Sequence, residues 1–457
     1  MSTHIFREYD IRGVADRDLT DEVVFAIGRG LADMLRPAGA SSSRIVVSRD
    51  CRLSGPRLFE ALSGGLRAGG SDVLDIGVGP TPQMYFAVHH LEADGGVMIT
   101  GSHNPKDENS FKIMIGTGSF FGEQIQELAR RIQNQTFTAA TRQGQLERKD
   151  VSADYLSALT RDIHLADTNL SVVVDAGNGA AGPLGTSALE ALSLKPVKLF
   201  CDMDGTFPNH HPDPTEPHAL QTLIAKVRET GARVGLAWDG DGDRLGVVDG
   251  SGEIVWGDRL LALFARHALP SNPGGSVIAD VKCSGVLFDD IKRQGGNPIM
   301  WKTGHSLIKS KMKETKALMA GEMSGHFFFA DRYFGYDDGL YAALRLVEIL
   351  AKEKRGVVQL LEDLPKPHVT PELRMDCPDA IKFDVVAGVK QVFRERGADV
   401  NDIDGVRVTY TDGSWGLVRA SNTSPKLVLR FEAPTPERLE EIRTDTEAVV
   451  AKVQAAQ

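Results

Sequence analysis

Hydrophobic positions along this chain follow two rhythms, and their alternation predicts an α/β protein. Ile45-Val-Val-Ser-Arg-Asp-Cys-Arg-Leu-Ser-Gly55, Val172-Val-Val-Asp-Ala-Gly-Asn-Gly-Ala-Ala-Gly182 and Val277-Ile-Ala-Asp-Val-Lys-Cys-Ser-Gly285 look alike. Each is an apolar β-branched run, a polar turn ending in glycine, then a helical pattern. They recur at intervals of roughly 100–130 residues, too long for a solenoid and right for three related α/β domains. After the first run, Ser54 is the expected N-cap, Pro56 suits the first turn, and Leu58, Leu62 and Leu66 form one helical stripe. An earlier helix is predicted after Thr20, with Asp21 and Glu22 at its positive end and Val23, Val24, Ile27, Leu31 and Leu35 along it.

Past Pro365 the rhythm changes. Val406, Val408 and Tyr410 alternate, Asp412-Gly413 turns the chain, and Trp415, Leu417, Leu427, Leu429 and Phe431 continue the alternation. A final helix is expected from Thr435-Pro436, carrying Leu439, Ile442, Val449 and Val453. The expected fold is therefore three related mixed α/β domains followed by a smaller C-terminal α+β domain. The boundaries drawn from these shifts are 1–150, 151–253, 254–365 and 366–457.

Composition narrows the function classes. The 457 residues are 42% hydrophobic and 25% charged, ordinary for globular domains with sizeable cores. Net charge is −10 with no basic block, so no nucleic-acid partner is expected and any anion must be held by local cationic pockets. Cys51, Cys201, Cys283 and Cys377 lie far apart without metal-ligand spacing, which fits reduced thiols. The N-terminus has no apolar signal core and no stretch approaches a membrane span. A cytoplasmic protein with no membrane partner is expected.

The strongest chemical signal is Trp238-Asp-Gly-Asp-Gly-Asp-Arg244. Three carboxylates at alternate positions repel one another unless a cation sits between them, and the glycines let the backbone bend until they converge. An all-oxygen site with room for a substrate phosphate suits Mg²⁺. Arg244, one step on, can meet a phosphate as a planar fork. An EF-hand loop starting at Asp239 fails, because it needs glycine at Arg244 and a bidentate glutamate at Gly250.

A second signal is Gly96-Val-Met-Ile-Thr-Gly-Ser-His-Asn-Pro105, a strand running into a tight polar turn. It places Ser102 exposed at a strand end beside His103 and Asn104. A hydrolase elbow needs glycine two before the serine, where Thr100 stands. Lys112 follows in a short apolar run, where a lysine of lowered pKa could move protons.

These segments together resemble the α-D-phosphohexomutase superfamily, in particular the bacterial phosphomannomutase/phosphoglucomutase group, over essentially the whole chain. The resemblance implies four domains around a central active-site cleft. Tyr9-Asp-Ile-Arg-Gly13 matches the N-terminal marker, implying that Arg12 meets phosphate, with Tyr9 beside it. Thr100-Gly-Ser-His-Asn-Pro105 matches the phosphoserine loop, which makes Ser102 the carrier of the transferable phosphoryl group. Asp239, Asp241 and Asp243 would then hold Mg²⁺ together with the phosphate on Ser102.

Further along, Lys282, Lys302-Thr-Gly-His305 and Gly321-Glu-Met-Ser-Gly-His326 match the third domain's contributions. Within the last of these, Glu322, Met323, Ser324, Gly325 and His326 form the loop that reads sugar hydroxyls. Arg419, Ala420, Ser421, Asn422 and Thr423 match the clamp for the non-reacting phosphate. Arg244 and Arg12 share the transferred charge, and Lys112, His103 and His305 are the candidate proton carriers. The implied reaction interconverts hexose 1-phosphate and 6-phosphate, of mannose and/or glucose, through a hexose 1,6-bisphosphate. Small sugar phosphates are the implied partners, with a monomer expected and oligomers left open.

One departure stands out. Asn109-Ser110-Phe111-Lys112 has serine where the family usually has glycine, and a position needing positive φ would strain it. Three rival readings remain. Glu-Gln-Ser-Gly in place of Glu322-Met-Ser-Gly325 would mark a phosphoglucosamine mutase. Asp202-Met-Asp-Gly-Thr206 resembles the nucleophile motif of haloacid-dehalogenase-type enzymes, although the next acidic cluster follows after roughly 35 residues, too few for the βα units those enzymes need. A non-catalytic sugar-phosphate binding protein would not need the serine, lysine and aspartates together.

Overall fold

A computed structural model describes residues 3–421 and 424–457. The first three sheets share one plan. In each, a first strand (Arg44–Arg49, Val172–Asp175, Ser276–Asp280) lies between a second (Asp72–Val78, Val197–Leu199, Asn297–Trp301) and a third (Gly95–Ile99, Val234–Trp238, Met319–Gly321), all parallel. A fourth strand then turns back antiparallel on the third: Glu108–Ile115, Leu245–Asp249 and Phe327–Phe329. The repeated apolar runs are thus the central strands, buried on both faces as parallel strands usually are. Ile11–Val14, Gly118–Phe120 and Leu146–Arg148 extend the first sheet, and Ile254–Val255 the second.

The fourth sheet is entirely antiparallel, in the order His368–Val369, Lys426–Ala433, Trp415–Ala420, Val406–Thr409, Asp399–Asn401, with Leu373–Asp376 also on Lys426–Ala433. Helices Lys382–Glu395 and Pro436–Gln454 cover one face of it. The final helix starts as its sequence predicts: Thr435 accepts from the Arg438 amide, Pro436 sits in the first turn, and Ile442 and Val449 are buried. Helix Asp21–Met34 likewise has Thr20 as N-cap and buries Val24, Ile27 and Leu31. Helix Gly55–Ala68 buries Leu58, Leu62 and Leu66, but Ser54 makes no side-chain cap. Its Oγ accepts instead from Asn109 Nδ2 at 3.0 Å, which ties the helix start to the strand carrying Lys112.

One continuous core runs through the first three domains, joining Met84 and Met98 to Trp238 and Leu236 and on to Phe264 and Leu340. The fourth domain has its own core. It meets the third through a small cluster of Val281, Trp415 and Leu417, and through Arg407, whose Nη1 bonds the carbonyls of Val281 and Cys283 at 2.5 and 2.8 Å. Trp415 Nε1 and the Gly285 amide both donate to Glu432 at this junction. None of the four cysteines forms a disulfide. Among the described residues, no helix is long and apolar enough to cross a membrane.

Candidate active site

The shared plan puts three loops in equivalent places, each joining the third parallel strand to its antiparallel partner. They are the Ser102 loop, the Asp239–Asp243 loop and the Glu322–His326 loop, all at the carboxyl ends of parallel strands, where α/β sheets gather their chemistry.

In the first, Ser102 has φ of 47°, the left-handed region that a serine adopts only when its surroundings hold it there. Its amide donates to Thr100 Oγ1 at 2.9 Å, and Thr100 Oγ1 donates to Asp50 Oδ2 at 2.7 Å. Underneath lies Arg52, with its side chain fully buried. Its guanidinium donates to the carbonyls of Ser102, Asn104, Pro105 and Glu108 at 2.5–3.0 Å. A fork of fixed donors suits this task, since one cation gathers four carbonyls of a single tight turn. Ser102 is 8% exposed, contrary to the open position expected for it, because the second domain's loop packs onto it. A Cβ added to Gly240 would lie 2.3 Å from the Ser102 carbonyl oxygen, so only glycine allows this approach.

In the second loop, Gly242 takes φ of 75° and turns the chain so that Asp239, Asp241 and Asp243 converge. All three are fully buried, and their ligand oxygens lie within 4.8 Å of one another. Ser102 Oγ donates to Asp239 Oδ2 at 2.7 Å and lies 3.0 Å from His103 Nδ1. Asp241 Oδ2 accepts from Thr81 Oγ1 at 2.5 Å and from Lys112 Nζ at 2.7 Å. Lys112 also donates to Asp243 Oδ2.

Burial and mutual repulsion push the Asp239 and Asp243 carboxyls up. At Asp241 burial is outweighed by Lys112 and Thr81, which hold it down. The lowered pKa expected for Lys112 is reversed: burial would lower it, but the three aspartates prevail and raise it. Its ammonium supplies the positive charge that the converging carboxylates demand. Oδ1 of Asp241 and Oδ1 of Asp243 are buried without any hydrogen-bond partner. A hard divalent cation fits such a donor set, all oxygen, converging and in part unpaired.

His103 is held well below its ordinary value by burial, then by the charges of Arg244 and Arg12. Arg12 is gripped by Asp10, with Nε to Oδ1 at 2.8 Å and Nη2 to Oδ2 at 2.5 Å. Ser110 carries none of the anticipated strain. It lies in the extended strand Glu108–Ile115 opposite Arg12, and its Oγ donates to the Thr100 carbonyl at 2.5 Å.

The third loop joins the second through a bridge pairing Arg244 with His326, and the Leu245 amide donates to the Gly325 carbonyl at 2.9 Å. Gly325 takes φ of 90°. Glu322, 2% exposed, accepts from the Gly304 amide at 2.7 Å, which fixes the start of helix His305–Thr315. The Met323 amide reaches Asp280 at 3.3 Å, and Ser324 stays partly exposed. His305 is held well below its ordinary value by burial and by the Lys309 charge.

Around the rim, Tyr9 OH donates to the Thr303 carbonyl at 2.9 Å. Lys282 pairs with Glu372 at 3.3 Å, a tie from the third domain to the fourth. Arg419 is forked onto Asp404, whose Oδ2 also takes the Thr303 amide at 3.0 Å. Ala420 is buried, and the Ser421 amide donates to the Lys426 carbonyl at 2.9 Å. Asn422 and Thr423 lie outside the described residues. Asp202 sits exposed in a bend, and its carbonyl accepts from Asn178.

Several residues at this centre carried no recognised signal: Arg52, Thr81, Lys309, Asp337, Glu372 and Asp404. Asp10 could have been found, since it stands two residues before Arg12 in the N-terminal marker.

Three α/β domains with equivalent loops, followed by an antiparallel fourth domain, make up the architecture of the α-D-phosphohexomutases. Comparison with known families agrees. Residues 3–139, 153–252 and 256–368 match the phosphoglucomutase/phosphomannomutase alpha/beta/alpha domains I, II and III, and residues 372–449 match the C-terminal domain. The chain belongs to the phosphoglucomutase/phosphomannomutase family. It is 49% identical to a phosphomannomutase/phosphoglucomutase of Pseudomonas putida over 439 residues, 96% of this chain and 94% of that one. It is 46% identical to a phosphoglucomutase of Neisseria meningitidis serogroup A over 449 residues, 98% of this chain and 96% of that one. The crystal structure of a Burkholderia thailandensis family member superposes with a TM-score of 0.92 at 45% identity, covering 99% of this chain and 98% of that one.

Proposed function

We infer that this protein is a Mg²⁺-dependent phosphohexomutase interconverting hexose 1-phosphates and hexose 6-phosphates of mannose, glucose or both. The observation that carries this reading is the meeting of Ser102 with the aspartate loop, Oγ to Asp239 Oδ2 at 2.7 Å, across two domains.

The reaction starts from phosphorylated Ser102. A free sugar hydroxyl attacks the phosphorus, a new sugar O–P bond forms, and the bond from phosphorus to Ser102 Oγ breaks, the hydroxyl's proton passing to Oγ by way of His103. The hexose 1,6-bisphosphate then reorients and returns its other phosphoryl group to Ser102. His103, 3.0 Å from Oγ, is placed to hold the serine proton when the phosphoryl group is absent. Lys112, which donates to Asp241 and Asp243, is placed as a cation and hydrogen-bond donor beside the transferred group. Asp239, Asp241 and Asp243, with the phosphate on Ser102, would hold Mg²⁺, which when bound neutralises charge on the transferred group.

Arg12 and Arg244 bring guanidinium charge to the same place. Glu322 and Ser324 would read the sugar hydroxyls and Arg419 the non-reacting phosphate, with Lys282, Tyr9 and His305 as further contacts to the substrate. Closure of the cleft would keep water from the phosphoserine.

A coupled assay with glucose and mannose 1-phosphates, primed by the matching bisphosphate, tests the reading. Intact mass should show one phosphate that excess hexose 6-phosphate removes. Full turnover by Ser102→Ala would sink the mechanism.

A further inference from the structure

The Asp202-Met-Asp-Gly-Thr206 run, with Phe207 after it, is folded as a tight turn of the second domain against the first. Asp204 Oδ1 accepts from the Thr206 amide and Oγ1 at 2.9 and 2.7 Å, and the Phe207 amide donates to the Asp204 carbonyl at 3.0 Å. The turn abuts Cys51 and Arg52. A Cβ on Gly205 would collide with the Cys51 carbonyl oxygen and stand 2.9 Å from Arg52 Cα. Cys51 Sγ and the Asp204 amide share one acceptor, the Asn178 carbonyl, at 3.4 and 2.9 Å. Phe207 takes φ of 49°, and the Arg52 guanidinium lies over its ring, 5.2 Å from Cζ to the ring centre.

The terminal N–H groups of that guanidinium are taken by the carbonyls of Ser102, Asn104, Pro105 and Glu108. Its Nε lies 3.3 Å from Asp50 Oδ2, which also accepts from Thr100 Oγ1 and the Gly101 amide at 2.7 and 3.1 Å. A Cβ on Gly101 would collide with the guanidinium carbon, so the backbone next to Ser102 lies directly on the arginine. With its side chain fully buried and its donors engaged, Arg52 does not meet a substrate phosphate. It holds the turn in which Ser102 keeps its left-handed φ of 47°, a conformation that persists only where the surroundings over-determine it.

We propose that Arg52 and Phe207 are positioning residues for Ser102, one from each of the two domains whose loops meet there. Arg52 sets the serine turn through four carbonyls, and Phe207 brings an aromatic face from the second domain against the guanidinium. Shielding the guanidinium from water strengthens its bonds to those carbonyls, because a hydrogen bond gains in a less polar surrounding. The second domain thus acts on the serine twice, through Asp239 at Oγ and through Phe207 at the arginine beneath the turn. The catalytic consequence rests on the mutase reading; the packing of Phe207 on Arg52 does not.

Amide hydrogen exchange over residues 100–108 reads the turn without substrate. Phe207→Ala, a change in another domain, should speed exchange there and leave the fourth domain as it was. In turnover, Arg52→Lys keeps the charge but loses the fork, and kcat and kcat/KM should fall together by about 100-fold, as on misplacing a reacting group. Phe207→Ala should lower both about 10-fold, the loss of one desolvated cation–π contact. Phe207→Tyr, which keeps the ring, should recover most of that loss. In the Arg52→Lys background Phe207→Ala should add little, because its effect passes through the guanidinium.

Unchanged exchange over residues 100–108 in Phe207→Ala overturns the proposal, and so do effects of the two substitutions that simply multiply. A loss confined to KM in either variant overturns it as well, since that would place the residue at the substrate. Where Arg52→Lys fails to fold, Phe207→Ala and Phe207→Tyr decide by exchange and kcat. If the wild-type protein turns over no hexose phosphate, the functional reading fails, and the exchange measurement still decides whether Phe207 steadies the turn on Arg52.

Discussion

Ser102 Oγ donates to Asp239 Oδ2 at 2.7 Å, although 137 residues separate the two. The proposed nucleophile and the candidate cation site therefore form one centre, and damage to either half should be felt by both. Asp239→Asn preserves shape but removes charge, and kcat should fall about 100-fold or more, as on losing one electrostatic partner of a transition state. Chelating divalent cations should abolish wild-type turnover and Mg²⁺ should restore it, with Asp239→Asn requiring more Mg²⁺. Steady-state assays against Mg²⁺ concentration check both.

Contact between the two loops depends on the missing side chain of Gly240. Its Cβ would stand 2.3 Å from the Ser102 carbonyl oxygen and 3.3 Å from Pro212 Cγ. Gly240→Ala should push the serine loop off the aspartates and lower kcat by roughly 100-fold, the usual cost of an ångström-scale displacement. Global stability should drop by only about 1–3 kcal/mol, as for overpacking. Thermal melting and assay together separate these effects; an unaffected kcat would show that the loops can part without consequence.

The backbone at Ser110 is extended and its hydroxyl is bonded to the Thr100 carbonyl. Ser110→Gly should therefore destabilise the protein, by about 1–2 kcal/mol, through the lost hydrogen bond and the added freedom of glycine in the unfolded chain. A rise in Tm would contradict this.

Glu372 is the fourth domain's hold on Lys282. The lysine's charge, partly opposed by burial, brings its carboxyl down to about 2. A depressed carboxyl stabilises the fold above its unfolded value near 4.5, and that contribution fades as pH falls towards about 2. Glu372→Gln should cost about 1 kcal/mol at neutral pH, and its deficit should shrink between about pH 5 and pH 3. Melting curves of both proteins across that range give the test.

Periodicity made the three α/β domains legible, because a buried parallel strand must be apolar along its whole length and Val172–Asp175 or Ser276–Asp280 can be little else. The aspartate run was equally plain, since three carboxylates converge nowhere without a cation. The equivalence of the three functional loops was not legible. Their antiparallel strands, Glu108–Ile115, Leu245–Asp249 and Phe327–Phe329, share no pattern that side-chain chemistry imposes.

Local sequence by itself singled out Ser102, Lys112 and Asp239 to Arg244 as residues that could do chemistry, while Glu322 and Arg419 stood out only through the family resemblance. Tertiary structure decided what each of them is. Lys112 reads as a lysine ready to lose a proton until Asp241 and Asp243 close on it and keep it charged. Arg52 reads as one arginine in a polar turn until four carbonyls from residues 102–108 gather on it. The physical reason is the same in both cases. A residue's type fixes what it can donate or accept, but its charge state and its partners follow from burial and from groups that only folding brings within 3 Å.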